Sequence, residues 1–223
     1  TILFSLGSVA VLIDSLQVRR EALFGVANPI SADSLPFRSE VFGVNAELTA
    51  YDDAQLIHQL QLMREAGVTW VRQFIYWDRV EPVRGTRDWA EYDRILDAVD
   101  SIDGLQLVAV LMNSPAWARD PDAKNDPTSP PADPIEFARF ASSFAQRYAA
   151  AVDFVQVWDE PNLFTNWGRL PPRAARYAAL LTETYHALHA ADPTMTVIAA
   201  ALAPTIETGP DNISELVFLN DLY

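Results

Sequence analysis

From position 41 onward the chain alternates two hydrophobic rhythms. Short apolar runs recur as VFGVNAE (41–47), VTWVRQF (68–74), LQLVAVLM (105–112), DFVQVW (153–158) and MTVIAAAL (195–202). Their length and β-branched content predict buried strands. Between them, apolar residues fall at helical spacing. Residues 51–67 carry Leu56, Leu60 and Met63 on one stripe, with Asp52 as the expected N-cap and Gly67 as the C-terminal stop. Residues 88–102 repeat the pattern with Tyr92, Ile95, Leu96 and Val99, and Asp103-Gly104 ends it. Further helices are predicted over 134–150, 171–191 and, in part, 213–222.

A continuous apolar strand followed by an amphipathic helix, five times in succession, predicts a parallel sheet covered by helices, because such crossovers are right-handed and bury the sheet. A doubly wound sheet would usually bind a nucleotide through a glycine-rich first turn. Only eight glycines are present, and none forms GxGxxG or GxxxxGK[ST]. The alternative is a (β/α)8 TIM barrel. Eight βα units occupy about 250 residues, so 41–223 is expected to hold the first five units of an incomplete barrel, short by about three.

The segment before position 41 differs. TILFSLGSVAVLIDSLQVRR is apolar enough to be mistaken for a signal peptide, yet it lacks a basic start and places Asp14 inside the apolar run. Leu16 and Val18 alternate with Gln17 and Arg19, which is strand periodicity. Residues 1–20 are therefore expected to be the terminal strand of a preceding β domain, and 21–40, with Pro29 and Pro36, a linker.

Charge narrows the partners. Thirty acidic against sixteen basic residues give a net charge of −14 and a pI near 4.4, which disfavours nucleic-acid phosphates and anionic membranes. No run reaches the roughly 18 apolar residues of a membrane span. Cysteine is absent, so disulfides and thiolate metal sites are excluded. His186 and His189, at i and i+3, have no evident strand-end ligand to complete a metal site. Neither metal nor cofactor is expected, and a neutral ligand fits best.

Barrel chemistry sits at the carboxyl ends of the strands. The residues falling there are Asn45 and Glu47, Arg72 and Trp77, Asn113 and Trp117, then Asp159, Glu160, Asn162 and Trp167. Amides and carboxylates pair with sugar hydroxyls, while indole rings stack on their C–H faces. The long segment 113–134 opens at the same end and is expected to wall a cleft. Each residue also has a plainer reading: Glu160 as a strand-end ion-pair partner, Arg72 as a rim cation, and the tryptophans as packing residues.

VQVWDEPNL (155–163) resembles the strand-four motif of the retaining TIM-barrel glycoside hydrolases, the clan that includes cellulases, β-xylosidases and β-galactosidases, where the usual text is Trp-Asn-Glu-Pro. AGVTWVRQFIYWDRVEP is similar to that clan's second strand with its arginine, LMNSPAWA to its third and ADPTMTVIAAALAP to its fifth. Together these cover roughly residues 41–205. The resemblance implies hydrolysis of β-linked glycans by double displacement, with Glu160 as acid/base. It implies substrate contacts from Asp159, Arg72, Asn113, Trp117, Trp77 and Trp167, and an oligosaccharide or polysaccharide partner. Asp159 departs from the clan's asparagine: an aspartate accepts a bond from a sugar hydroxyl but cannot donate one. The clan's nucleophile is a glutamate ending strand seven, beyond these residues, so the chain by itself is expected to be inactive. A burial effect from the pocket and the charge of Asp159 are both expected to raise the pKa of Glu160. By analogy with multidomain glycosidases that carry a jelly-roll module, secretion is expected. A non-catalytic carbohydrate-binding barrel and an extracellular interaction domain remain open alternatives.

Overall fold

The computed structural model describes residues 42–223. The strand expected at 1–20 and the linker at 21–40 lie outside the described residues. Five strands form one sheet: β1 (Phe42–Asn45), β2 (Val68–Tyr76), β3 (Gln106–Met112), β4 (Phe154–Val157) and β5 (Thr196–Ala199). All four pairings are parallel, and the spatial order is the chain order, β1-β2-β3-β4-β5. That order decides between the two architectures. A doubly wound sheet reverses direction at a switch point, whereas right-handed crossovers always stepping to the next neighbour place every helix on one face and bend the sheet into a barrel arc.

The helices are α1 (Asp53–Glu65), α2 (Trp77–Val80), α3 (Ala90–Asp100), α4 (Pro134–Tyr148), α5 (Ala174–Ala191) and α6 (Glu215–Leu222). Asp52 caps α1 as expected, in a reciprocal capping box: its carboxylate accepts from the Gln55 N–H and the Gln55 side chain accepts from the Asp52 N–H. Gly67, at φ +88°, takes the left-handed position that ends the helix. The single turn α2 was not anticipated, because four residues are too few to show a period.

Side-chain alternation along β2 separates the two faces. Val71 and Ile75 are buried towards the helices, while Trp70, Arg72, Phe74 and Tyr76 are half-buried on the concave side. On the helix side the core is aromatic. Trp77 stacks on Phe140, Trp89 stacks on the same ring, and Phe144 and Tyr148 of α4 close the layer. Phe137 touches both Trp77 and Trp158, joining the β2 and β4 ends through α4. Among the described residues no helix is long and apolar enough to cross a membrane.

Candidate active site

Strand β4 stops at Val157 because the backbone turns. Trp158 has φ +67° and Glu160 has φ +47°, so the residues on either side of Asp159 are both in the left-handed region. Side chains other than glycine adopt that region rarely, and such strain gathers at functional sites where the surroundings enforce it. Asn113, at the end of β3, is left-handed too, at φ +67°. The Trp158 N–H still donates to the Leu111 carbonyl at 2.9 Å, so the strained turn begins while the residue is tied to its neighbouring strand.

Arg72 organises the strand ends. Its Nη2 donates to Asp159 Oδ1, its Nη1 to Asn45 Oδ1 at 3.2 Å and its Nε to Gln156 Oε1 at 3.1 Å. The Gln156 amide in turn donates to Asp159 Oδ1 at 3.1 Å and to the Trp158 carbonyl at 2.8 Å. One guanidinium thus joins β1, β2 and β4, and Asp159 sits as a half-buried anion between an arginine and an amide. Gln156 is 4% exposed and was passed over in the sequence. The available signal was a lone amide inside an otherwise apolar strand, at an inward-facing alternate position.

Glu160 is half-buried next to this group. Its Oε2 accepts from the Asn166 amide at 3.1 Å, and the Asn166 carbonyl accepts from the Trp158 indole N–H at 2.9 Å. Burial pushes the Glu160 carboxyl above the ordinary glutamate range, and the negative charge of Asp159 adds to the rise. Arg72 and the Asn166 hydrogen bond pull the other way without cancelling it. A glutamate with this balance holds its proton to higher pH than a solvated one and can deliver it to a leaving oxygen.

A second group lies on the β1–β3 side. Glu47 accepts from the Tyr76 hydroxyl at 3.2 Å and from the Thr49 hydroxyl. Burial and this carboxylate raise the Tyr76 phenol to about 12, so it stays protonated and donating. The ring of Tyr76 stacks on Phe74, and the Arg79 guanidinium lies 4.3 Å from its centroid. Asn113 donates to Asp78 at 3.3 Å, and burial raises the Asp78 carboxyl. Glu47 thus joins the β1 end to Tyr76 at the end of β2.

The candidate tryptophans separate. Trp117 is half-buried, with its indole N–H donating to the Glu81 carbonyl and the Arg84 guanidinium over its ring at 5.4 Å. Trp77 and Trp167 are in the core, at 0% and 1% exposure. The helical turn α2 swings Trp77 beneath the sheet end, where its N–H donates to Glu81 at 3.0 Å. Trp167 packs edge-on against Trp158 and Tyr177. Neither offers a ring face to a sugar, which corrects the sequence reading of both as stacking platforms. Asn162, also 0% exposed, is equally out of a ligand's reach. Among the described residues, the aromatic rings on the concave face are instead Trp70, Phe74 and Tyr76 of β2 and Phe154 of β4, which packs edge-on against Trp70.

Segment 113–134 is pinned rather than loose. Arg119 donates to the Ser114 and Lys124 carbonyls, Arg176 pairs with Asp120 at 2.7 Å, and the Thr128 hydroxyl donates to the Thr165 carbonyl at 2.8 Å. Gly168, at φ +68°, lies against the Ser129 backbone so closely that a Cβ there would stand 2.5 Å from Ser129 Cα. The segment is thereby held against the 164–168 turn that carries Asn166.

No family model matches the chain, and no curated protein matches it. Solved structures do. A family 39 glycoside hydrolase from the gut symbiont Bacteroides cellulosilyticus superposes over 70% of this chain and 30% of its own, with TM-score 0.57 and 23% identity. An exo-beta-1,4-mannosidase from an Opitutaceae bacterium covers 70% and 31%, with TM-score 0.56 and 19% identity. The GH5_18 protein from Streptomyces cattleya, solved in complex with GlcNAc, covers 73% and 44%, with TM-score 0.59 and 18% identity. The chain thus spans less than half the length of these structures. With five consecutive parallel βα units in the order of a barrel arc, it has the partial TIM-barrel fold of the glycoside hydrolases.

Proposed function

We propose that this chain carries the acid/base half of a retaining β-glycosidase site. The observation that supports it most is Glu160: a half-buried carboxyl at the end of β4, shifted towards its protonated form, beside an anion held by Arg72. In the first step the Glu160 O–H gives its proton to the glycosidic oxygen as the bond to the anomeric carbon breaks, while a second carboxylate about 5 Å away bonds to that carbon. In the second step Glu160, now a carboxylate, takes a proton from water as the water oxygen displaces that carboxylate. Among the described residues Asp159 is committed to Arg72 and Gln156. The nucleophile belongs to βα units beyond these five, so the 223-residue chain alone is inactive, and β-linked oligosaccharide or polysaccharide is the substrate of a form carrying all eight. Its acidic surface and glycan substrate fit a secreted enzyme.

The direct test assays both forms on aryl β-glycosides. Turnover by the eight-unit form and none by the 223-residue chain is the expected result. Equal rates would place the nucleophile within these residues. Sugar affinity without turnover by the longer form would make the barrel a binding module instead.

Asp159→Asn tests the electrostatics. It removes the charge that raises the Glu160 pKa and leaves Arg72, which lowers it, without its ionic partner. The Glu160 midpoint therefore falls, and the general acid is lost at lower pH. A 13C titration of labelled glutamate side chains, with the Glu160 resonance assigned by its loss in Glu160→Gln, reads this in the 223-residue chain. In the eight-unit form the alkaline limb of kcat/KM moves to lower pH with it. A midpoint that stays or rises contradicts the assigned cause.

A further inference from the structure

The loop after β4 is stitched to the loop after β5 along its length. The Glu160 N–H donates to the Ala201 carbonyl at 2.9 Å. Two residues on, the Asn162 side chain accepts from the Ala203 N–H and donates to the Ala203 and Ile213 carbonyls, each at 2.9 Å. Its carbonyl accepts from the Ile213 N–H at 2.9 Å, and an antiparallel bridge joins Leu163 to Asn212. The Asn212 side chain then accepts from the Phe164 N–H at 3.0 Å and donates to Glu207 at 3.0 Å. Asn162 spends both amide hydrogens and its oxygen on backbone, and it is fully buried.

This stitching brackets the strained turn. Left-handed backbone at Trp158 and Glu160 persists only where neighbours enforce it. On the β3 side the enforcing contact is the Trp158 N–H to Leu111; on the β5 side it is Ala201 and, just beyond, the Asn162 clamp. We infer that Asn162 is a positioning residue for Glu160: by locking the loops after β4 and β5 together it holds the left-handed turn that keeps the Glu160 carboxyl half-buried beside Asp159 and Asn166. The functional weight of this inference rests on the reading of Glu160 as acid/base, but the clamp itself does not. The segment after β5 becomes part of the acid/base apparatus although none of its side chains meets the reacting atoms.

The experiment compares Asn162→Ala and Asn212→Ala with the parent 223-residue chain by the same 13C titration of Glu160. Asn162→Ala removes the acceptor for Ala203 and both donors without placing a new charge near Glu160. Asn212→Ala releases Phe164 at a half-buried position and leaves Asn162 in place. The groups that set Glu160 otherwise, Asp159, Arg72 and Asn166, are unchanged in both. The expected result is a fall of the Glu160 midpoint in both variants, larger in Asn162→Ala, as the turn relaxes and water reaches the carboxyl. If Asn162→Ala does not fold, Asn212→Ala decides. A folded variant with an unmoved Glu160 midpoint overturns the inference, because a clamp that serves stability alone does not shift that proton. In the eight-unit form Asn212→Ala lowers kcat with KM little changed, by up to about 10²-fold if the carboxyl moves by an ångström. Loss of turnover is not the decisive reading: if Glu160→Gln leaves turnover intact, the proposed function fails while the clamp is still judged by the titration.

Discussion

Glu160→Gln is expected to lower turnover of aryl β-glycosides by about 10²–10⁴-fold in a form of the protein with all eight βα units, the span that general acid–base catalysis supplies. Glutamine matches glutamate in size and can keep a hydrogen bond with Asn166, so the turn at 158–160 and the Arg72–Asp159–Gln156 group are left in place. What disappears is the transferable proton. The loss should be smaller for substrates with a good leaving group, such as a dinitrophenolate, which departs without protonation, and larger for alkyl glycosides. An equal loss across leaving groups would point to a binding defect. An undiminished rate would remove Glu160 from the chemistry.

Trp77→Ala is expected to destabilise the chain by about 3–5 kcal/mol, the range for truncating a fully buried large aromatic, which is roughly 10 °C in Tm at about 2–4 °C per kcal/mol for a chain of this size. Its ring is 0% exposed and contacts Trp117, Phe137 and Phe140, so the substitution opens a cavity between the β2 end and α4. It also removes the indole donor from Glu81, a carboxylate 2% exposed that keeps Arg87 and the Gly85 N–H as partners. Thermal unfolding followed by far-UV circular dichroism measures the loss. A tryptophan serving as an exposed sugar platform would give a different result: stability changed by less than about 0.5 kcal/mol, as for an ordinary surface substitution.

The two tryptophans misread as platforms show where sequence reasoning stops. Trp77 and Trp167 follow strands at the mouth of the barrel, and by position they qualified. Their burial depends on backbone events with no sequence period: a single helical turn over 77–80 and a short 3-10 turn at 164–166 that carries Trp167 towards Tyr177. Asn162 shows the same limit from the other direction. An asparagine beside the proposed acid looked like a sugar contact, but its partners are the backbones of Ala203 and Ile213, 41 and 51 positions away. Gln156 and Asn166 were missed because their meaning comes from Arg72, 84 positions upstream of Gln156, and from Glu160 across a turn.

The sequence by itself determined the order of the five strands and of every helix longer than a single turn, the stripe of α1 with its cap at Asp52, and the carboxylate pair at the end of the fourth strand. Those features are periodic or adjacent, and the energetics behind them, hydrophobic burial at period 2 or 3.6 and local capping, act within a few residues. Only the tertiary structure decided that the sheet is a barrel arc, because strand order is a relation between distant segments. It alone decided which aromatics face the cleft, what holds Asp159, and why the Glu160 carboxyl is pushed above the ordinary glutamate range, since burial and a neighbouring charge are properties of the packed chain.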